Sequence, residues 1–244
     1  MAMKNDPVKR FGIARVLSKQ GLASRTQAAA WVVEGRVSVN GRVVRDPEFP
    51  VVQGRDSVEV SGLEEKSALP IYLVLNKPRG LVTTAKDEKG RDTVYRCFDG
   101  AELPWLAPVG RLDKASEGLL LFTNDPVWAA KITSPESHLD KTYRVQINRL
   151  PNADDLEKMR SGVYIDGHLH AMKNVIILRE GEKNAWLEIV LDEGKNRQIR
   201  NILSVLNFDV LRLIRVQIGD LKLGELAKGQ WRLLEQHEVA GLSY

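Results

Sequence analysis

The feature that most constrains the fold of this chain is the apolar segment 118–123, GLLLFT, which directly follows a polar loop containing Gly110 and Asp113. A short apolar run bounded by turn residues is typical of a strand buried on both faces. Such a strand must lie inside a sheet that other elements cover, which predicts a layered domain. The loop would hold Asp113 at the end of a rigid core element, where a reactive group can be positioned. An aspartate before a strand also serves simply to accept hydrogen bonds within a turn.

The composition indicates a globular protein with room for one large and one small domain. The chain has 244 residues, of which 43% are hydrophobic and 28% are charged, enough for a sizeable core. No segment approaches the roughly 18 consecutive apolar residues that span a bilayer, and residues 1–10 are polar, so we expect a cytoplasmic protein. The single cysteine, Cys97, excludes an internal disulfide and a CxxC metal or redox motif.

Positive charge is concentrated near the N-terminus. Residues 1–60 hold ten Lys or Arg and six Asp or Glu, and the rest of the chain holds 26 residues of each sign. The whole net charge of +4 therefore belongs to the first quarter of the chain. This asymmetry indicates a module that faces nucleic acid, although a few surplus cations also occur on ordinary solvated surfaces.

The first 60 residues predict two short helices followed by a β-hairpin. Ser24 with Gln27 three residues later is a capping-box pattern for the second helix, which Gly35 can end. The pair Asn40-Gly41 lies between alternating apolar residues and matches a type I′ hairpin turn. We expect the basic side chains of this unit to form a surface that faces RNA phosphates. These side chains are Arg10, Arg15, Lys19, Arg25, Arg36 and Arg42.

Residues 61–70, SGLEEKSALP, are polar and end in proline, which predicts a linker between a domain at 1–60 and a second domain at 71–244. In the second domain, strand patterns outnumber helical ones. We therefore predict an α+β fold with a twisted, mostly antiparallel sheet and flanking helices. The predicted strands are 71–75, 118–123, 142–147, 175–178, 186–191 and 211–218, and the predicted helices are 126–132, 153–161 and 197–206.

Several ordered segments resemble the RsuA/RluB/RluE/RluF group of pseudouridine synthases. GRLDKASEGLLLFTND at 110–125 resembles the catalytic motif of that group. Residues 10–60 resemble the small RNA-binding domain named after ribosomal protein S four. The resemblance covers nearly the whole chain and implies the pseudouridine synthase fold for the larger domain. The other matching segments are LNKPRGLVTT at 75–84, KTYRV at 141–145, EGKNRQIRNIL at 193–203 and the closing motif at 211–234.

The resemblance implies a reaction and the residues that perform it. Enzymes of this group convert uridine to pseudouridine in ribosomal RNA without a cofactor, because the base is detached, turned and rejoined through carbon 5 with no redox change. By the same resemblance, Asp113 is the nucleophile, Tyr143 stacks on the target base, and Arg200 is the ion-pair partner of Asp113. Arg197 and then Lys195 are the next candidates for that partner. The sequence leaves open whether Asp113 attacks the sugar or the ring, or assists proton removal.

A uridine within RNA must be flipped out before its glycosidic bond can be reached, so we expect cations to hold the flanking phosphates. The candidates are the basic side chains of the motif segments, each of which also fits an ordinary surface charge. They are Arg111, Lys77, Arg79 and Lys141.

The target and two alternatives remain to be distinguished. The segments 141–145 and 193–200 are more similar to RluB, which favours the large ribosomal subunit, and a monomer is the default expectation. The alternative is a non-catalytic RNA-binding or ribosome-assembly factor, which the joint presence of the three implied catalytic residues disfavours. A factor that acts only through its basic N-terminal domain does not explain the acidic motif.

His168 and His170 have metal-ligand spacing but no evident third ligand, so we expect no metal site.

Overall fold

The chain divides into two compact units, each built around hydrophobic clusters of its own. The first unit is Met1–Ile71 with the short segments Glu102–Ala107 and Thr123–Pro126, and the second is the remainder of the chain. The computed structural model describes residues 10–62, 69–85 and 87–243.

The predicted linker at 61–70 lies largely outside the described residues, since 63–68 are not described. The same holds for residues 1–9 of the predicted N-terminal domain. The domain bounds read from the sequence therefore stay a prediction.

The first unit contains the two helices and the hairpin that the sequence predicts. The Ser24 hydroxyl accepts a hydrogen bond from the backbone N–H of Gln27 at 3.1 Å and caps the second helix. Asn40 and Gly41 both have positive φ angles, 51° and 76°, as a type I′ turn requires. The elements are β1 (Phe11–Gly12), α1 (Ile13–Lys19), α2 (Arg25–Val33), β2 (Val37–Val39), β3 (Arg42–Val44), β4 (Pro50–Val51) and β5 (Val58–Val60).

The core of the first unit forms where the apolar faces of these elements meet. In α1, Ile13, Val16 and Leu17 are buried, and their spacing places them on one face of the helix. They belong to one cluster with Val32 of α2 and Val37 of β2. Most of the basic side chains of the unit are left exposed.

A nine-stranded, mostly antiparallel sheet forms the centre of the second unit. The elements from residue 72 onward are β6 (Tyr72–Lys77), β7 (Ala107–Val109), β8 (Glu117–Thr123), α3 (Pro126–Thr133), β9 (Lys141–Ile147), α4 (Ala153–Ser161), β10 (Val163–Ile165), β11 (His168–His170), β12 (Asn174–Glu180), β13 (Ala185–Leu191), α5 (Gln198–Val205), β14 (Val210–Ile218), β15 (Leu221–Lys222), β16 (Trp231–Leu233) and α6 (Gln236–Gly241), with 3-10 turns at Val94–Phe98 and Pro135–Ser137. The strand order is β12-β13-β9-β14-β8-β6-β16, with β15 beside β14 and β7 beside β8. β14 runs parallel to β8 and antiparallel to β9. The predicted α+β fold is confirmed.

Strand β8 is buried along its whole length, as its sequence predicts. Gly118, near its start, has a φ of 101°, and a Cβ atom there would lie 2.2 Å from the backbone oxygen of Arg215. Only glycine is tolerated at this distance and in this conformation. The pairing of Gly118 with Arg215 brings β14 against the end of the loop that carries Asp113.

Helices α4 and α5 pack on one face of the sheet. Ile202 and Leu203 of α5 and Met159 of α4 are fully buried in one cluster with inward side chains of β9 and β13. Tyr143 of β9 belongs to the same cluster, and it shares this face with Val145 because alternate side chains of a strand point the same way. None of the helices formed by the described residues is long and apolar enough to cross a membrane.

The hairpin of β10 and β11 was not predicted from the sequence. Asp166 and Gly167 connect the two strands with positive φ angles of 49° and 78°. An Asp-Gly pair between two short strands is a type I′ signal, as Asn-Gly is in the first unit. The signal was therefore present, but the flanking strands have only three residues each and weak alternation.

Glu117 is a buried carboxylate at the start of β8 that holds two cations. Arg212 donates to it through Nε and Nη2, both at 3.1 Å, and Lys228 Nζ lies 2.5 Å from Oε2. Burial alone raises the pKa of Glu117, but the hydrogen bonds from Arg212 and Lys228 outweigh it and hold the pKa below its ordinary value.

Replacing Glu117 by glutamine is expected to lower the free energy of unfolding by about 3 kcal/mol at neutral pH, because two cations lose a buried counter-charge. Since the folded pKa is depressed, this contribution is present above the unfolded value and is lost as pH falls through the folded value. Urea unfolding at neutral pH and in mild acid measures both effects. The control is Glu188→Gln, whose partner Arg144 lies 4.0 Å away and is 56% exposed. Equal losses in the two variants would contradict the prediction.

Candidate active site

A cleft of about 570 Å³ opens in the second unit. It is lined by the loop 110–116, which we call the Asp113 loop, by residues 191–200 leading into α5, and by inward side chains of β9 and β14. The structure therefore brings together segments that are far apart in sequence. The predicted site residues that line the cleft are Arg111, Asp113, Lys141, Tyr143, Lys195, Arg197 and Arg200.

Arg197 forms the ion pair with Asp113. Its Nη1 lies 3.4 Å from Asp113 Oδ2, and the two side chains are 51% and 43% exposed. Arg197 immediately precedes α5 in a left-handed backbone conformation, φ 51°, a strained geometry for an arginine that often accompanies functional sites. The structure thus places Arg197 in the contact that the sequence assigned first to Arg200.

Arg200 lies one turn further into α5 and binds the backbone of the Asp113 loop. Its Nη2 donates to the carbonyl oxygen of Ala115 at 3.3 Å. Burial lowers the pKa of Arg200, and the nearby Arg197 lowers it further, while the charge of Asp113 acts in the opposite direction. The remaining candidate, Lys195, pairs with Glu193 at 2.9 Å instead.

Lys77 fastens the Asp113 loop through hydrogen bonds to its backbone. Its side chain is fully buried at the end of β6. The Nζ atom donates to the backbone oxygens of Pro78, Asp113 and Ser116 at 3.1, 3.3 and 2.8 Å. The phosphate contact predicted for Lys77 from the sequence needs an exposed ammonium group. The structure therefore corrects that proposal: Lys77 positions the loop.

Two further residues of the segment 75–84 fasten the same loop. The backbone N–H of Gly80 donates to the carbonyl oxygen of Lys114 at 2.8 Å. The Thr83 hydroxyl, which is buried, donates to the carbonyl oxygen of Leu112 at 2.8 Å. The segment therefore acts on the site through the backbone of the loop that carries the carboxylate.

We expect activity to fall above pH 8 because burial lowers the pKa of Lys77 to about 8. The ammonium group supplies a donor to each of three carbonyl oxygens, whereas the neutral amine has only two N–H donors. One of the three bonds is then lost, and two of the three acceptors, Asp113 and Ser116, belong to the Asp113 loop. In the folded protein the pKa of Lys77 lies below the ordinary value of 10.5, so the unfolded chain holds this proton more tightly than the folded protein does. Deprotonation of Lys77 as the pH rises therefore does not destabilise the fold.

The measurement is kcat across the alkaline range, with circular dichroism at each pH as the control. An alkaline limb centred near pH 8 with an unchanged spectrum is expected from the pKa of Lys77. A rate that stays flat well above this pH would show that the loop does not depend on the charged amine.

Tyr143 and Lys141 project from β9 into the cleft. Tyr143 is 9% exposed and pairs across the sheet with Arg215 of β14. Its ring gives the cleft an aromatic surface on which a base can stack. Lys141 is half-buried, and both burial and the charge of Arg215 lower its pKa.

Arg111 and Arg79 differ in their relation to the cleft. Arg111 is exposed in the Asp113 loop and lines the cleft. Arg79 is exposed and does not line the cleft, but its positive charge is close enough to Arg200 to lower the pKa of that guanidinium. Both remain predicted phosphate contacts.

Gln198 and Arg215 also line the cleft, and neither was predicted from the sequence. They are 2% and 7% exposed. The sequence did contain an indication for Arg215. It lies two residues after Leu213, whose side chain points inward from β14, so an apolar residue is expected at position 215. For Gln198 we find no comparable signal, because its burial depends on how α5 meets the sheet.

In the first unit, the structure clusters part of the predicted cationic surface. Arg15 and Lys19 lie one turn apart on α1, and both place their charge over the ring of Phe11, at 5.1 and 4.9 Å from its centroid. Arg10 and Arg42 are exposed. These side chains remain free to approach phosphates.

Two other cations of the first unit are engaged within the protein. Arg25 forms an exposed ion pair with Glu48 at 3.1 Å. Arg36 donates to the backbone oxygen of Ser61 at 3.2 Å through Nη2. A phosphate contact by either one would have to replace or share these bonds.

The model of the RNA pseudouridylate synthase family matches residues 71–205, more than half of the chain. The chain belongs to this family. The model of the S4 domain matches residues 12–56. The family membership and enzyme class expected from the sequence are thereby confirmed.

Relatives of the same architecture extend along nearly the whole chain. The ribosomal large subunit pseudouridine synthase B of Bacillus subtilis (strain 168) is 34% identical over 232 residues, 94% of this chain and 94% of that protein. An uncharacterized RNA pseudouridine synthase of Aquifex aeolicus (strain VF5) is 37% identical over 94% of this chain and 92% of its own length. A pseudouridylate synthase of known crystal structure superposes with a TM-score of 0.65 at 28% identity, covering 95% of this chain and 99% of that one.

Proposed function

We propose that this member of the family isomerises a specific uridine of large-subunit ribosomal RNA, with Asp113 as the catalytic carboxylate and without a cofactor. The observation that carries the proposal is the Asp113–Arg197 ion pair, partly exposed within a cleft of about 570 Å³. This volume lies in the range of pockets that bind small-molecule ligands. A cofactor is unnecessary because the substrate supplies both bonding partners of the product.

The reaction breaks the bond between the sugar and ring nitrogen 1, turns the base, and joins the sugar to ring carbon 5. The carbon-5 proton leaves, and nitrogen 1 gains a proton, so atoms and electrons balance. Asp113 assists by attacking the sugar or the ring, or by helping to remove the proton. Arg197 orients the carboxylate and balances its charge. Tyr143 stacks on the detached uracil and keeps it in the cleft.

The substrate class rests on two comparisons. An S4 domain precedes the catalytic domain, and a relative 34% identical over 94% of this chain is named as a large-subunit enzyme. In this proposal, Arg15, Lys19 and their neighbours bind the RNA backbone, while Arg111 and Lys141 hold phosphates beside the flipped uridine. A ribosomal substrate places the enzyme in the cytoplasm.

The test is to incubate the purified protein with unmodified transcripts of large-subunit and small-subunit ribosomal RNA and to map pseudouridine at nucleotide resolution. We expect one site in the large-subunit transcript. A site in the small-subunit transcript alone would reassign the target. Tight RNA binding with no pseudouridine in either transcript would favour a non-catalytic ribosome-assembly factor.

A further inference from the structure

Helix α5 begins without the side-chain cap that commonly fixes the first residue of a helix. Its cap position is occupied by Arg197, whose side chain makes no capping hydrogen bond and reaches Asp113 instead. Arginine is not among the residues preferred at a helix cap, and the backbone of Arg197 is left-handed, with a φ of 51°. Other contacts must therefore hold the start of α5, and with it the direction of the Arg197 side chain.

Gln198, the next residue, supplies two such contacts. Its side-chain Nε2 donates to the carbonyl oxygen of Ala171 at 3.1 Å and to Oε1 of Glu193 at 2.6 Å. Ala171 lies between β11 and β12, and Glu193 follows the last residue of β13 by two positions. One amide nitrogen thus joins the first turn of α5 to two other segments of the second unit.

Both acceptors hold Gln198 firmly. Met172, which follows Ala171, is 1% exposed, and its backbone N–H donates to the carbonyl oxygen of Met159 in α4 at 2.9 Å. The bond to Glu193 has a carboxylate as its acceptor, and such bonds are stronger than those between neutral groups. Gln198 is therefore tied to a packed part of the domain and cannot shift without losing both bonds.

Stability alone does not explain a glutamine at this position. Gln198 is 2% exposed, and its Oε1 atom is buried without a hydrogen-bond partner among the described residues. An unpaired buried oxygen destabilises a fold. The neighbouring Ile199, which is 4% exposed, shows that the same turn of α5 accommodates a buried apolar side chain.

We propose that Gln198 is a positioning residue, which fixes the start of α5 so that Arg197 meets Asp113. The inference rests on the proposed function and names the residue that holds its ion pair in place. Gln198 acts through Arg197 and touches no reacting atom.

The first arm of the experiment is a crystal structure of Gln198→Met, in which methionine keeps a similar volume and removes the amide. Arg197 Nη1 lies 3.4 Å from Asp113 Oδ2 in the wild-type protein. In the variant we expect this distance to exceed about 4 Å, the limit for an ion pair. An unchanged ion pair in the variant overturns the inference, whatever its activity.

The second arm measures kcat and RNA affinity of Gln198→Met alone and combined with Arg197→Met. Alone, the change is expected to lower kcat about tenfold through misplacement of Arg197, with the dissociation constant for RNA within about twofold of wild type. In the Arg197→Met background, the same change should lower kcat by less than about twofold, because no guanidinium is left to position. An equal loss in both backgrounds would indicate a purely structural role and overturns the inference.

Gln146→Met is the matched control, because it removes an amide of the same kind from the same domain. Gln146 Nε2 donates to Asn184 at 3.3 Å, and the residue does not line the cleft. Its kcat should stay within about twofold of wild type, and a loss equal to that of Gln198→Met would count against the inference. If wild type forms no pseudouridine, the proposed function itself fails, while the crystal structure still decides whether Gln198 holds Arg197.

Discussion

Replacing Asp113 by asparagine is expected to reduce kcat for pseudouridine formation by about 10⁴-fold or more, the scale of loss when a nucleophile is removed from an enzyme. Asparagine keeps the size of the side chain and a hydrogen-bonding oxygen toward Arg197 Nη1, which lies 3.4 Å away in wild type. The fold should persist because the Asp113 side chain is 43% exposed. The measurement is single-turnover conversion of the target uridine.

The control for this variant is RNA affinity. Since the N-terminal cations and the cleft arginines remain, the dissociation constant should change by no more than about threefold. Arg197→Met is expected to reduce kcat by a smaller factor of about 10², because the Arg197 side chain orients the carboxylate but does not itself react. If the asparagine variant retained a tenth of the wild-type rate, or if Arg197→Met were the more damaging change, the assignment of roles would be wrong.

Replacing Lys77 by methionine is expected to lower the free energy of unfolding by about 3 kcal/mol, because buried carbonyl oxygens lose a charged donor. Methionine fills a similar volume, so the loss reports the three hydrogen bonds to Pro78, Asp113 and Ser116. A displaced Asp113 loop should also reduce kcat by about 10²-fold in the molecules that remain folded. Urea unfolding and single-turnover rates measure the two effects separately.

Lys114→Met is the matched control, because Lys114 lies in the same loop with an exposed side chain. It should change stability by less than about 0.5 kcal/mol. Loss of activity in Lys77→Met without any loss of stability would indicate that the ammonium group contacts RNA after a rearrangement. That result would restore the phosphate-contacting role that the sequence first suggested.

The parts of the fold that follow from local pattern were predictable from the sequence. The apolar run of β8, the Asn40-Gly41 turn and the cap at Ser24 are each determined by a few neighbouring residues. Helix α4 has the predicted bounds, Ala153–Ser161, because Asn152 and Asp155 form a capping box at its start. The order of strands in the sheet was not predictable, since it depends on contacts between distant segments.

The candidate site shows the same division. The cleft contains Asp113 and Tyr143 as the motif resemblance implies. The sequence, however, ranked Arg200 before Arg197 as the partner of Asp113 and gave Lys77 a phosphate contact, and the structure differs on both points. Those roles depend on the residue at which α5 begins and on the residue at which β6 ends. Helix α5 begins at Gln198, so Arg197 precedes it in a left-handed conformation and meets the carboxylate. Strand β6 extends through Lys77, two residues beyond the predicted end at residue 75, and thereby buries the ammonium group.

The most direct test of the central claim is pseudouridine mapping of ribosomal RNA from cells that lack this gene and are complemented with wild type or with Asp113→Ala. The account predicts that one pseudouridine disappears from the large-subunit RNA of the deletion strain. It further predicts that wild type restores this pseudouridine and that Asp113→Ala, produced at the same level, does not. Full restoration by Asp113→Ala would contradict a catalytic role for this carboxylate.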